Sequence, residues 1–231
     1  MCTFKQVFPN QHTLLVVIHA VYLDQVWRNV QIAKAAGANG VFLINHRITH
    51  QYLLDYYQAI KEKVPDYWIG LNCLDLGSAA VDSVPKDTAG LWIDNAGIQE
   101  RAENPTAIAE TFATRRQASG WSGLYFGGVA FKYQTPVTDL KKVAQLAIPF
   151  MDVITTSGDG TGIAAATDKI RIMKEAIGDH PLAIASGITP ENVTDYLPFA
   201  DCFLVATGIS DSHTELNPER VRQLVEIINN H

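Results

Sequence analysis

The chain has 231 residues, 47% of them hydrophobic and 18% charged, and a formal net charge of −6. That is enough apolar material for a substantial core, and the length fits one large α/β domain. The acidic balance argues against a nucleic-acid or anionic-membrane surface, no apolar run approaches a membrane span, and the opening stretch MCTFKQVFPNQHT lacks the apolar segment of a secretory signal. Cys2, Cys73 and Cys202 are scattered and odd in number, which suggests neither a disulfide framework nor a zinc knuckle; a reduced, cytoplasmic protein is expected.

In chain order, short apolar runs alternate with amphipathic stretches. TLLVVIH (13–19) reads as a buried strand, and Asp24 to Ala36 has helical spacing with Gly37 as its stop. GVFLIN (40–45) is a second strand, and His50 to Val64 a helix closed by Pro65. WIGLNC (68–73) precedes a short helix around residues 78–84, and AGLWIDN (89–95) precedes a helix over 105–119 with Pro105 in its first turn. GLYFGGVAFK (123–132), MDVITTSG (151–158), LAIAS (182–186) and CFLVAT (202–207) read as the remaining strands, with helices over 137–148 and 165–177, a short one from Pro190, and a last one over 219–230. Eight strands and eight helical segments alternate, and each strand is nearly continuous in apolar residues, as parallel strands covered on both faces are. The pattern predicts a single (β/α)8 barrel spanning 1–231, with an open doubly wound sheet as the alternative.

In such a barrel the chemistry sits on the loops that follow the strands. The polar residues closing the strands include His19, Asn45 with His46 and Arg47, Asn72 with Cys73 and Asp75, Asp94, Lys132, Ser157, Ser186 and Thr207. The sharpest signal is ASGITPEN (185–192) together with ATGIS (206–210). Glycine brings its amide close to an anion, and Thr189 with Pro190 suits a helix start that attracts negative charge. A phosphate held by the amides of Gly187, Ile188, Gly208 and Ile209, with Ser186 and Thr207 assisting, is the functional reading; tight-turn glycines are the plain one. The loop TSGDGTG (156–162) offers Ser157, Gly158, Thr161 and Gly162 as substrate-binding positions, as an anion nest or a flap over a ligand, or else it is a plain solvent loop.

Lys132 would serve as an electrophile or a partner for a carboxylate or phosphate, and Asp94 or Asp159 as the acid/base. His19 is an acid/base candidate or a hydrogen-bonded structural histidine, and Asn45 and Asn72 bind substrate hydroxyls or cap loops. His12, His180, His213 and His231 are assigned to bottom loops or termini. Tyr52, Tyr56 and Tyr57 offer a homo-oligomer surface or pack in the core. No metal-ligand spacing is present, and neither a metal nor a cofactor is expected.

Three of these motifs resemble the BtpA family (the photosystem I biogenesis proteins, with the SgcQ-like proteins). ASGITPENVTDYLPFADCFLVAT (185–207) is similar to the family's Ser-Gly-Val-Thr-Pro-Glu-Asn-Val stretch and following strand, ITTSGDGTG (154–162) to its Ser-Gly-x-x-Thr-Gly loop, and VAFKY (129–133) to its Val-Lys-His ending. The resemblance implies a barrel of the ribulose-phosphate-binding type with Lys132, Ser157, Gly158, Thr161, Gly162, Ser186, Gly187 and Thr207 at the family's positions. The chain departs from it at Tyr133, which replaces a histidine, at Ile44, where an acid is usual, and at Ser210, where a lysine is frequent. The expected function is binding of a small phosphorylated metabolite, such as a sugar or ribonucleotide-like phosphate, by an acid–base isomerase or lyase. The alternative is a non-catalytic barrel serving as an assembly factor or ligand sensor.

Overall fold

A computed structural model describes residues 3–231. Eight parallel strands, β1 (Thr13–His19), β2 (Gly40–Ile44), β3 (Trp68–Asn72), β4 (Gly90–Ile93), β5 (Leu124–Gly128), β6 (Val153–Ser157), β7 (Leu182–Ala185) and β8 (Cys202–Val205), pair in sequence order, and β8 closes on β1 with Val16 opposite Val205. Among the described residues there are seven α-helices: α1 (Phe4–Val7), α2 (Leu23–Ala35), α3 (His50–Lys63), α4 (Ala107–Ser119), α5 (Leu140–Ala147), α6 (Thr167–Ile177) and α7 (Pro218–Asn229). Short 3-10 segments replace the helices after β3 (Gly77–Asp82) and β7 (Val193–Asp195), and another (Thr207–Ile209) follows β8 directly. The predicted (β/α)8 barrel is the fold. No helix among the described residues is long and apolar enough to cross a membrane.

Side chains alternate across each strand. On β1, Leu14, Val16 and Ile18 face outward into the layer shared with Val26 and Val30 of α2, while Leu15 and Val17 face the barrel interior. That interior is filled by aromatic rings: Phe42 lies 5.1 Å from both Trp68 and Phe126, edge-on to each. The rings fit because Gly70 and Gly90 leave the space. A Cβ at Gly70 would stand 2.3 Å from Phe42, and one at Gly90 2.4 Å from the Trp68 indole. The lower end is plugged by α1, whose Phe4 packs on Phe126 and whose following Phe8 packs on Trp68.

The structure corrects several expectations. β5 ends at Gly128, so Lys132 stands in the loop beyond it rather than in the strand. The loop after β4 crosses there, and a Cβ on Gly128 would meet the Asp94 carbonyl at 2.0 Å. Pro105 precedes the Thr106 N-cap of α4 and lies outside its first turn. No α-helix follows Pro190. The Asn192 side chain accepts from the Thr189 amide and donates to the Gly187 carbonyl, drawing the chain into a local loop instead. Tyr57 is core and Tyr56 half-buried, leaving only Tyr52 of the three exposed.

Gly70→Ala should therefore overpack the barrel interior and lower unfolding free energy by about 1–3 kcal/mol. Urea denaturation reads this directly; an unchanged midpoint would show that the rings yield freely.

Candidate functional site

The carboxyl ends of the strands surround a cavity of about 440 Å³. His19, Asp94, Lys132, Thr161, Ser186 and Thr207 all line it, so six of the sequence candidates from six different strand–loop units converge. A larger cleft of about 680 Å³ lies at the opposite end, between α1 and the approach to β6. There Arg116 is already paired with Asp152 at 2.7 Å, an arrangement that ties α4 to β5 and β6.

The Lys132 ammonium donates to Ser186 Oγ at 3.0 Å, and the Lys132 amide donates to Ser157 Oγ at 2.8 Å. The backbone around this contact is unusual. Among the described residues, Ala130 (φ 48°), Tyr133 (φ 62°) and Ser186 (φ 75°) are the non-glycine ones with left-handed backbone, and they flank the Lys132–Ser186 bond. Each such residue costs about 1–2 kcal/mol, which clusters at sites where geometry is imposed for a purpose. Lys169 of α6 secures the arrangement by donating to the carbonyls of Ala130 and Ser157, both at 2.6 Å. Burial pushes the Lys169 ammonium down, and the charge of Asp159 partly restores it.

Asp94 receives a hydrogen bond from Asn72 Nδ2 at 2.9 Å. Burial raises its carboxyl above the ordinary range, while Asn72 and the Lys132 charge pull partly the other way. A buried carboxyl raised in this way, facing a cavity, is a candidate for proton transfer. Asn72 thus acts on Asp94, and Asn45 is equally committed. Its amide donates to Asp75 at 2.7 Å and to the Ile48 carbonyl, and its carbonyl accepts from the Leu74 amide. Asn45 is thereby committed to its loops, and neither asparagine is among the residues lining the cavity. Asp159 is exposed and lies outside the mouth, on the flank near Lys169. Cys73 is buried and its thiol pushed up to about 12, by burial first and Asp75 second, so it is no nucleophile.

The loops after β6, β7 and β8 touch backbone to backbone. A Cβ on Gly158 would stand 2.3 Å from the Ile163 carbonyl, one on Gly187 2.2 Å from the Ala164 amide, and one on Gly208 1.9 Å from the Ile188 carbonyl. This close packing requires the glycines independently of any ligand. Gly162, with φ 75°, approaches the Thr207 methyl, and Thr161 shares a hydrogen bond with the exposed Tyr133 hydroxyl at 3.3 Å. The side chains of Ile188 and Ile209 are buried in the outer core, and the Ile209 amide is spent on the Ala206 carbonyl. The 3-10 turn Val193–Asp195 is too short to sum a helix dipole. The expected dipole contribution to an anion site is therefore missing, whereas the amides of Gly187, Ile188 and Gly208 meet no protein acceptor among the described residues.

The residue the sequence reading misplaced is His213. It belongs to the mouth: its Nε2 lies 2.9 Å from His19 Nδ1, and the His46 ring stacks on His19 at 4.7 Å. Gln25 and Asn29, fully buried on α2, hold the returning loop in place by donating to the Thr214 carbonyl, each at 2.7 Å, and Gln25 also donates to the His19 carbonyl. The signal was available, since residues between β8 and the next helix belong to the same face as the other strand ends. Burial, then His213, His46 and Lys132, lower His19 to about 3; burial first also lowers His46. Both imidazoles are therefore uncharged at neutral pH, and His19 Nδ1 shares a hydrogen bond with His213 Nε2. Among the described residues, no three His, Cys, Asp or Glu side chains are grouped to hold a metal ion.

No family model matches the chain. An uncharacterized protein of Thermococcus kodakarensis is 34% identical over 79 residues, covering 33% of this chain and only 30% of that protein. Among solved structures, (S)-3-O-geranylgeranylglyceryl phosphate synthase of Thermoplasma acidophilum, in complex with sn-glycerol-1-phosphate, superposes with a TM-score of 0.70 over 100% of both chains at 17% identity. Phosphoribosyl anthranilate isomerase of Thermus thermophilus gives 0.66 over 93% of this chain and 96% of that one at 16% identity. The alpha subunit of tryptophan synthase from Legionella pneumophila gives 0.67 over 95% and 94% at 12% identity. At these identities the likeness shows a common barrel fold.

Two outcomes follow from the geometry. Ser186→Gly should be about 1 kcal/mol more stable than Ser186→Ala, because only glycine relieves the left-handed backbone; equal unfolding midpoints would remove the strain argument. Unfolded chain gives His19 its ordinary pKa of 6.5, and folded chain holds it near 3. Between those values the unfolded state binds the extra proton, so stability falls as pH drops, by up to about 1.4 kcal/mol per pH unit. His19→Gln should flatten that fall when thermal midpoints are measured from pH 7 to pH 5.

Proposed function

We propose that the chain is an enzyme of the isomerase or lyase type, which binds a small phosphorylated metabolite in the mouth of the barrel and moves a proton on it. The observation that carries the reading is that Lys132 and Asp94 open into one cavity. A lysine paired with a serine hydroxyl lies on one side, and a carboxyl raised by burial lies on the other. A barrel serving only as an assembly factor has no need to bury both. The three motifs that resemble the BtpA family contribute residues to this mouth, which supports placing the chain with that family.

The roles follow from the contacts. Lys132 neutralises the phosphate, with the Ser186 and Thr207 hydroxyls and the unpaired amides of Gly187, Ile188 and Gly208 completing the cradle. Because the helix dipole is absent after β7, the lysine carries the charge-neutralising part of this task. Asp94, held by Asn72 and biased toward neutrality, takes or gives the proton. His19 and His213 form a second candidate for proton transfer, joined by the hydrogen bond between Nδ1 and Nε2. Ser157 and Lys169 position the Lys132 loop and touch no ligand.

Thermal unfolding with millimolar inorganic phosphate and simple phosphate esters tests the binding half. Wild-type protein should be stabilised, since a ligand that binds only the folded state raises its midpoint. Lys132→Met should lose the shift, and Asp94→Asn should keep it. For a ligand found in this way, Asp94→Asn should slow deuterium uptake from D2O, read by NMR, by about a hundredfold or more. Absence of any shift with phosphate compounds would sink the anion site. Undiminished exchange in Asp94→Asn would remove Asp94 from the chemistry.

A further inference from the structure

We infer that the phosphorylated ligand carries a planar unsaturated ring rather than a polyhydroxyl chain, and that the ring lies over the β1–β4 half of the mouth. This inference rests on the phosphate reading above and specifies the substrate class for the same site. It comes from the uneven distribution of chemistry around the cavity. The β5–β8 half presents the polar groups of Lys132, Tyr133, Thr161, Ser186, Thr207 and His213, with Leu204 and Ala206 between them. The β1–β4 half presents Val17, Ile44, Leu74 and Trp92, with His19, His46 and Asp94 as its polar members.

A sugar needs donors and acceptors along its whole length. The two asparagines at the ends of β2 and β3 that were expected to supply them do not line the cavity: Asn45 holds Asp75, the Ile48 carbonyl and the Leu74 amide, and Asn72 donates to Asp94. His19 spends Nδ1 on His213 and offers its face to His46, with the two rings 19° from parallel. Hydroxyl groups laid over Val17, Ile44, Leu74 and Trp92 would lose water without finding partners there, which is costly. A flat ring would instead gain apolar burial and contact with aromatic faces. Trp92 is fixed for that purpose by edge contacts with Phe42 at 5.7 Å and Phe131 at 6.1 Å. The Asp94 carboxyl and the edge of His46 provide for one or two polar atoms on the ring. The whole cavity, at about 440 Å³, accommodates a phosphate and one or two fused rings.

Calorimetric titration with inorganic phosphate, ribose 5-phosphate, phenyl phosphate, 1-naphthyl phosphate and phenol separates the outcomes. Phenyl phosphate should bind about tenfold or more tightly than inorganic phosphate, while ribose 5-phosphate should gain less than about threefold. Leu74→Asn, a half-buried rim position anchored through its backbone, should reduce the aryl preference by about fivefold or more and leave inorganic phosphate affinity unchanged. Ribose 5-phosphate binding as tightly as phenyl phosphate, or an aryl preference unaffected by Leu74→Asn, would overturn the ring assignment while the phosphate site stands. Phenol binding as tightly as phenyl phosphate would overturn the phosphorylated class. Failure of every phosphate compound, inorganic phosphate included, would overturn the anion site and the ring assignment with it.

Discussion

The mouth keeps its shape because three loops meet backbone to backbone. Gly158, Gly187 and Gly208 each stand where a Cβ would overlap a neighbouring main-chain atom. Their absent side chains let the loops after β6, β7 and β8 stack as one wall. That wall turns Ser186 toward Lys132 and brings Thr161 and Thr207 alongside. The opposite wall is built differently, from side chains that hold loops: Asn45 spans two of them, and Gln25 and Asn29 reach out from α2 to seize a third. One wall is fixed by close main-chain packing, and the other by side chains that hydrogen-bond to neighbouring loops. The cavity inherits its asymmetry from these two ways of fixing a loop.

Charge in the mouth bears little relation to charge on the whole chain. A molecule with a net charge of −6 gathers a lysine, three histidines and one carboxyl at its working face. Burial keeps His19 and His46 uncharged, so neither competes with Lys132 as a cation in the cavity. Elsewhere the acids are engaged in the scaffold. Asp152 binds Arg116, and Asp201 binds Lys174 and the Leu182 amide at the other end of the barrel. Glu191, lowered to about 2 by hydrogen bonds from Arg220 and then Thr189, ties the loop after β7 to α7.

The barrel was legible in the chain because apolar runs such as TLLVVIH and CFLV have no polar interruption and recur at βα spacing. Convergence of His19, Asp94, Lys132, Ser186 and Thr207 could be read for the same reason: each follows a strand. What periodicity cannot carry is how a loop closes. The Thr-Pro-Glu-Asn stretch has the composition of a helix start, yet Asn192 folds it into a turn through two backbone contacts. The apolar continuation VAF made β5 look longer than it is, since the crossing of the β4 loop over Gly128 is a tertiary event. Asn45 and Asn72 could not be sorted into ligand-binding and scaffold residues because their partners lie 30 and 22 residues away. The partner of His213 is farther still, at 194 residues.

The plug at the lower end has a consequence for how the protein comes into being. Phe4 and Phe8 leave the ribosome before the rings they cover, Trp68 and Phe126, which belong to strands made much later. Until β5 has been synthesised, α1 has only part of its seat, and until β8 is made, β1 has an unpaired edge. Long-range closure of this kind delays folding and leaves apolar surface uncovered in the interval. The nascent chain therefore carries two sticky features close together, an aromatic pair and a bare strand edge. A chaperone that engages the segment from α1 to β1 would shield both with a single contact.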